Sequence, residues 1–251
     1  INNLDTSKCV NMKNMFYDAG DYSKSFSLGS LDNWVTSNVT NMSHTFFYAG
    51  SNATTWNIGN LGSWNTSNVT DMSGMFGYIA TKATNSFTLN IGGWNTSKVT
   101  DMQWMFAGVL KDANSSLSIS NAIGSIGNWN VSNVANMSSM FSQSGQSLTT
   151  YSIDLSRWSS SNCQDMSNMF NASNVLSIDI SGFDTSKVTD MIRMFCFCDK
   201  LQQIKAGEKW TTENVTDSQS MFYNCYALVG KNGTTFDNNH TDAEYARLDT
   251  K

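Results

Sequence analysis

The chain has 251 residues, a net charge of −5 and a pI of about 4.9, and only 14% of its residues are charged. It has no basic stripe, so it lacks the electrostatic signature of a nucleic-acid-binding protein, and attraction to anionic lipid is disfavoured for the same reason. No apolar run approaches the roughly 20 residues that cross a bilayer, so we expect no insertion into a membrane.

One motif repeats along the chain and is most regular from Trp64 to Phe76. Each copy opens on Trp, Phe or Leu and closes on a Phe twelve residues later. The eight copies start at Leu4, Trp34, Trp64, Trp94, Trp129, Trp158, Phe183 and Trp210. Neighbouring starts lie 25 to 35 residues apart, which is typical of stacked repeat proteins. We predict one domain, with an eight-repeat array over residues 1–229 and a C-terminal cap over 230–251.

The chain opens inside the first copy, because Ile1 to Leu4 already fit the repeat. We therefore expect any targeting segment to have been removed or to lie outside this sequence.

Short segments ahead of the motif starts, such as Phe87–Ile91 and Tyr151–Leu155, alternate apolar with small polar residues. This period of two is typical of strands that are buried on one face. One such strand per repeat, always in the same chain direction, predicts parallel pairing.

Inside the motif the period changes, since Val69, Met72, Met75 and Phe76 fall at offsets of 0, 3, 6 and 7. This spacing predicts a short helical turn, and an Asp or Asn before the first Met is suited to cap it. These capping residues are Asn11, Asn41, Asp71, Asp101, Asn136, Asp165, Asp190 and Asp217. The predicted fold is α/β, a leucine-rich-repeat-like, right-handed parallel solenoid with one strand and one short helical turn per repeat.

All 14 methionines fall in two motif positions, eight and eleven residues after the start. Together with the closing Phe they predict a core column, and we also assign Trp56 to the core. The position ten residues after the start varies freely, so we expect it to face solvent. Its occupants are Asn14, His44, Gly74, Trp104, Ser139, Asn168, Arg193 and Ser220.

The five cysteines are odd in number and follow the repeat, which argues against a disulfide framework. Cys9 and Cys163 take the Val position of the motif, so we expect them to be buried. Cys198 and Cys225 share a position in adjacent copies, about 5 Å apart if the copies stack. A reduced pair is favoured there over a disulfide.

The motif carries a family likeness in Val-Thr-Asp-Met-x-x-Met-Phe, and so does the tail from Phe236 to Asp249. The chain resembles the BspA-like leucine-rich-repeat surface proteins, a class with mycoplasmal repeats of unknown function. The resemblance implies a secreted or anchored bacterial surface protein, located outside the cell, that adheres to host proteins or to other cells.

Extra residues follow the closing Phe in the first four copies, over 17–24, 47–54, 77–85 and 107–115. Insertions at one point in successive repeats collect on one rim, where recognition surfaces are common. Aromatic side chains recur on this rim, and they offer large contact areas at low entropic cost. The candidate ligand-binding residues are Tyr17, Tyr22, Tyr48, Tyr78 and Trp104. The alternative is that some of these tyrosines pack onto the repeat beneath them.

Few residues suit catalysis. His44 and His240 lie near no nucleophile motif, and we predict no cofactor and no metal site. Asp154 and Asp179 lie one repeat apart between apolar strand residues and are therefore predicted to point outward together. They could contact a ligand, or they could serve a glycan-acting enzyme built on a parallel β-solenoid.

We therefore predict a non-enzymatic module, monomeric, that binds a host extracellular protein or a glycan at the bacterial surface. The alternatives are a glycan-acting enzyme or glycan-binding protein on a parallel β-solenoid, and a passive surface spacer.

Overall fold

A computed structural model describes residues 1, 3–123, 126–149, 151–230 and 232–245. The fold is mixed α/β, with a few short parallel strands and little helix. The strands are β1 (Ser25–Ser27), β2 (Thr55–Asn57), β3 (Tyr151–Asp154), β4 (Val175–Ile180) and β5 (Gln203–Ala206). The helices are α1 (Ile119–Ile123) and two 3₁₀ turns, Ile126–Asn128 and Ala243–Tyr245.

The strands form two parallel sheets. In the first, β1 pairs with β2 and Phe26 lies opposite Trp56. In the second, β3, β4 and β5 pair in that order. The predicted parallel strands are thus confirmed ahead of five motif starts.

The prediction of a strand in every repeat is wrong for Phe87–Ile91, which forms no strand, and for residues 117–119, which run into α1. The backbone N–H and C=O groups of an α-helix bond to one another within the helix, so they cannot pair with a neighbouring strand. The segment from Phe87 therefore lacks a strand partner on that side, although Leu89 still donates its N–H to the carbonyl of Ala122, at 2.8 Å.

The motif contains no helix, so the predicted helical turn is wrong. Its Asp and Asn residues instead form single parallel β-bridges with one another, from Asn11 through all eight copies to Asp217. Each still accepts a hydrogen bond from the N–H two residues on, as Asp71 does from Ser73 at 2.9 Å. These residues therefore close a local turn, and their backbone joins neighbouring copies.

Backbone hydrogen bonds within the motif alternate between neighbouring copies and the same copy. The N–H of Met42 donates to the carbonyl of Asp71, at 2.9 Å, and that of His44 donates to the carbonyl of Ser73, at 2.7 Å. Between them, the N–H of Thr45 donates to the carbonyl of Met42 in its own copy, at 3.3 Å. The backbone is thus satisfied without helix or regular strand, and every copy is bonded to the next.

This alternation places the variable position in the left-handed region of backbone space. Its φ lies between 51° and 62° in all eight copies. Most occupants are exposed or half-buried as predicted, and Gly74 is the buried exception. A second left-handed position follows four residues later, at Asp18, Tyr48, Tyr78, Gly108, Gln143, Ala172, Phe197 and Asn224.

The core consists of stacked columns of identical side chains. The closing Phe rings stack from Phe16 to Phe222 at centroid distances of 5.4 to 5.9 Å. The predicted methionine core is confirmed, except that Met15, in the first copy, is 40% exposed. Trp56 is buried as predicted.

All five cysteines are free thiols, with Cys163, Cys196, Cys198 and Cys225 buried. The thiols of Cys198 and Cys225 each donate to a carbonyl of the preceding copy, at 3.0 Å. Cys9, in the first copy, is half-buried rather than fully buried as predicted.

The last copy is contacted by the tail. The N–H of Phe222 donates to the carbonyl of Thr241, at 2.8 Å, and the N–H of Ser220 donates to the carboxylate of Asp242, at 2.9 Å. The cap over 230–251 stays a prediction, because Lys231 and residues 246–251 lie outside the described residues.

Candidate functional site

Six aromatic rings from the first four copies contact one another on the outside of the molecule. We call them the ring cluster: Tyr17, His44, Phe47, Tyr48, Tyr78 and Trp104. Four of them stack in two nearly parallel pairs, Tyr17 on Phe47 and Tyr48 on Tyr78, and the other ring contacts are tilted or edge-on. Four of the five rim residues predicted from the sequence are therefore brought together here.

Phe47 is the hub of the ring cluster. Its ring centroid lies 4.8 Å from that of Tyr48, 4.9 Å from that of His44 and 6.4 Å from that of Trp104. Sequence reasoning missed this residue. The available signal was that Phe47 takes the same motif position as Tyr17, thirteen residues after the start.

Glycines in the next copy make room for these rings. A Cβ at Gly77 would collide with the ring of Phe47, and one at Gly108 would collide with the ring of Tyr78. The alternative that rim tyrosines pack onto the repeat beneath them is thus confirmed for Tyr78. Packing thus holds these rings in place, with Phe47 buried and with Tyr17 and Trp104 still partly exposed.

The exposed part of the ring cluster is aromatic and uncharged. Tyr17 is 43% exposed and Trp104 is 38% exposed. Burial raises the pKa of Tyr48 and of Tyr78, and burial lowers the pKa of His44 despite the opposing charge of Asp71. These shifts keep the phenols and the imidazole neutral at neutral pH.

Tyr22 does not join the ring cluster. Its side chain is 96% exposed, and within the described part of the chain it makes no ring contact. It lies four residues after Asp18, the second left-handed position of the first copy, where the chain already turns towards β1.

Asp154 and Asp179 lie opposite each other on β3 and β4, as the repeat spacing predicts. Lys205 on β5 lies in the same row and pairs with Asp179, with 2.7 Å between Nζ and Oδ2. Hydrogen bonds from Ser156 lower the pKa of Asp154.

Burial opposes ionisation of Asp179, but hydrogen bonds from Lys205 and Ser181 outweigh it and lower the pKa of this carboxyl as well. Both carboxyls are therefore ionised at neutral pH, and neither is poised to donate a proton.

An open groove of about 330 Å³ lies between copies five and seven. It lies beside Phe197, which occupies the same motif position as Tyr48 and Tyr78 in earlier copies. It is lined by Gln146, Ala172, Ser173, Asn174, Phe197 and Asp199. A second crevice, beside Phe87 and Leu117, is only about 60 Å³, which is too small for a ligand of ordinary size.

Metal-binding clusters and membrane-spanning helices are both absent from the described ranges. No group of three or more His, Cys, Asp and Glu side chains there is placed to hold a metal ion. In the same ranges the longest helix has five residues, and none is long and apolar enough to cross a membrane.

Comparison with known proteins places the chain in a family. The family described as "Mycoplasma protein of unknown function, DUF285" matches residues 1–120 and 110–236, so it covers almost the whole chain. No curated protein and no solved structure matches it. With its repeated motif and its bridged copies, the chain belongs to this mycoplasmal repeat family.

Proposed function

We propose that this chain is a non-enzymatic binding module of the bacterial cell surface, and that the ring cluster is where it holds a host protein or a neighbouring cell. The observation that carries the proposal is the cluster itself: six rings from four copies, with Phe47 and Tyr78 packed against glycines and with Tyr17 and Trp104 partly open to solvent.

The architecture that we infer is a right-handed solenoid of the leucine-rich-repeat type, of the BspA-like class. It is supported by backbone hydrogen bonds that join every copy to the next through the Asx bridges. Such an array presents an extended surface, because each repeat contacts only its neighbours.

Aromatic anchors suit this role energetically. Tyr and Trp bury large areas with few rotatable bonds, and they dominate the hot spots of protein interfaces. Here Phe47 and the close packing at Gly77 and Gly108 hold the rings in place before a ligand binds, which reduces the conformational entropy lost on binding. An uncharged cluster also loses little solvation when a protein covers it.

The glycan-acting alternative depends on Asp154 and Asp179. A glycosidase needs one carboxyl that is protonated at working pH, and both of these are held ionised. We therefore favour binding over catalysis. A passive spacer differs from both in having no saturable ligand.

The test is binding to an array of extracellular-matrix proteins and matrix glycans, with the wild type compared with a Tyr17→Ser/Trp104→Ser variant. These two side chains are the most exposed of the cluster tyrosines and tryptophans, so their loss should leave the fold intact. We expect saturable protein binding that weakens at least tenfold, since each lost hot-spot residue costs more than about 1 kcal/mol.

Tyr22→Ser is the matched control, because Tyr22 is exposed without belonging to the cluster. Equal binding by the double variant and this control would move the site elsewhere. Binding to glycans alone would favour the glycan alternative, and no saturable binding at all would favour the spacer.

A further inference from the structure

The groove around Phe197 lies where the repeats shorten. Motif starts are 29 residues apart from copy five to copy six and 25 apart from copy six to copy seven. Copy five still has a long connection after its closing Phe, through Gln146 to Thr149, whereas Asn174 in copy six leads directly into β4. The missing residues leave a step, and the groove occupies it.

Amide side chains hold the two sides of the step together. Asn174 donates its amide hydrogens to the carbonyls of Leu148 and Thr149, and Gln146 donates to the carbonyl of Ala172 at 2.9 Å. In the described residues no hydrogen bond reaches the side-chain oxygen of either amide. Both oxygens remain available as acceptors at the groove.

Phe197 supplies an aromatic face. It is 51% exposed and takes a left-handed backbone conformation, with φ of 60°. A bulky residue in this region has a strained backbone. Because the side chain is half exposed, its burial offsets little of the free-energy cost of that strain. Its neighbour in the same motif position is the small Ala172, so the ring is not covered from that side. On the other side the ring lies nearly perpendicular to that of Tyr223, with 5.6 Å between the ring centroids.

The remaining wall carries negative charge. Asp199 lines the groove, and its carboxylate lies 3.2 Å from the ammonium group of Lys200, with both side chains about half exposed. The hydroxyl of Ser173 is already engaged with the thiol of Cys198. The groove thus offers acceptors and an aromatic face, whereas its hydrogen-bond donors are mostly committed to the protein itself.

We propose that this groove binds an arginine side chain of the protein ligand, with the guanidinium stacked on Phe197 and hydrogen-bonded to Asp199 and the two amide oxygens. The inference rests on the proposed protein-binding function. Guanidinium has five donors and no acceptor, and it stacks on aromatic rings. A sugar hydroxyl accepts hydrogen bonds as well as donating them, and few donors of the groove are free to bond to it. The groove therefore suits guanidinium better than a sugar.

The experiment is an NMR titration of the intact chain with three probes: acetyl-arginine amide, acetyl-lysine amide and a neutral disaccharide. We expect saturable shifts confined to residues 172–174 and 197–199, with the arginine probe binding in the millimolar range and more tightly than the lysine probe. Raising the salt concentration should weaken the binding, because the groove is open to solvent.

Three substitutions sharpen the test. Phe197→Asn removes the ring but suits the left-handed backbone, as Asn224 does in the next copy. This variant and Asp199→Asn should each weaken arginine binding about threefold or more. Lys200→Gln removes a competing cation and should tighten binding about twofold. Asp32→Asn and Tyr226→Ser, both exposed and outside the groove, should change nothing.

Shifts with the disaccharide and none with arginine would overturn the proposal in favour of a sugar site. It would also be overturned by the absence of saturable shifts with any probe, or by unchanged arginine binding in Phe197→Asn. None of these readouts uses a host protein. The groove can therefore fail while the ring cluster still binds, and the ring cluster can fail while the groove still responds.

Discussion

Two sets of aromatic rings run across neighbouring copies, and they differ in almost every other respect. The closing Phe column uses one side chain in all eight copies, and its rings are nearly parallel, with interplanar angles of 2° to 16°. The ring cluster uses four kinds of side chain in four copies, at angles of 16° to 89°. Identical residues in identical positions stack as a periodic core, whereas different residues give an irregular surface that a particular ligand can fit.

The largest expected effect comes from breaking the inner column. Phe106 is buried between Phe76 and Phe141, so Phe106→Ala should lower the free energy of unfolding by about 3 to 5 kcal/mol. Trp104→Ala, two residues away in the ring cluster, should cost about 1 kcal/mol or less, because Trp104 is partly exposed and its one ring contact among the described residues is with Phe47.

Guanidinium unfolding followed by circular dichroism would measure both variants. Equal losses in the two would mean that the ring cluster carries as much stability as the core. The comparison between a structural column and a binding surface would then fail.

The stacked core could be predicted from the sequence because the closing Phe is present in every copy, and Met and Trp recur at fixed positions in most of them. The prediction of a helical turn in the motif was wrong for an equally specific reason. Turns in which one N–H donates to the carbonyl three residues back, as Met15 does to Met12 at 3.1 Å, also place residues three apart on one side. Apolar spacing alone therefore cannot separate a helix from a series of linked turns.

The candidate site was only partly predictable. Repeat alignment finds Tyr48 and Tyr78 because they occupy one motif position in adjacent copies. It did not find the hub role of Phe47, which depends on the missing Cβ of Gly77 in the next copy. The groove at Phe197 arises where the repeats shorten, and that change in length is visible in the sequence. The size of the groove is not, because it depends on how the backbones of the two copies pair beside it.

A second prediction concerns thiols in the core. Burial raises the pKa of Cys198 to about 12, from an ordinary value of 9.0. Since the folded pKa is raised, the stabilisation from the neutral thiol is fully present below about pH 9 and is lost as the pH rises towards 12. In that window only the unfolded chain releases the proton.

The matched variant is Cys198→Ser, because Ser144 and Ser173 occupy the same position in copies five and six. From pH 8 to pH 10.5, under reducing conditions, the wild type should lose about 2 kcal/mol more unfolding free energy than this variant. Urea titrations at the two pH values measure the difference. Identical losses would mean that the thiol is accessible to solvent in the folded chain.

The smallest effect tests why the variable position varies as it does. Its occupants include Gly, Asn, Ser, His, Trp and Arg but no β-branched residue, and all have positive φ. A second branch at Cβ is poorly tolerated in the left-handed region. Ser139→Val should therefore lower the free energy of unfolding by about 1 kcal/mol, whereas Ser139→Gly should stay within about 0.5 kcal/mol of the wild type.

Ser167→Val is the control, because Ser167 is half-buried in the same way but does not have a positive φ. Thermal unfolding of the three variants would rank them. If Ser139→Val were as stable as Ser139→Gly, backbone strain would not limit this position. The absence of Val, Ile and Thr from it would then have to come from selection on the exposed surface, which would extend the binding surface beyond the ring cluster to the whole variable column.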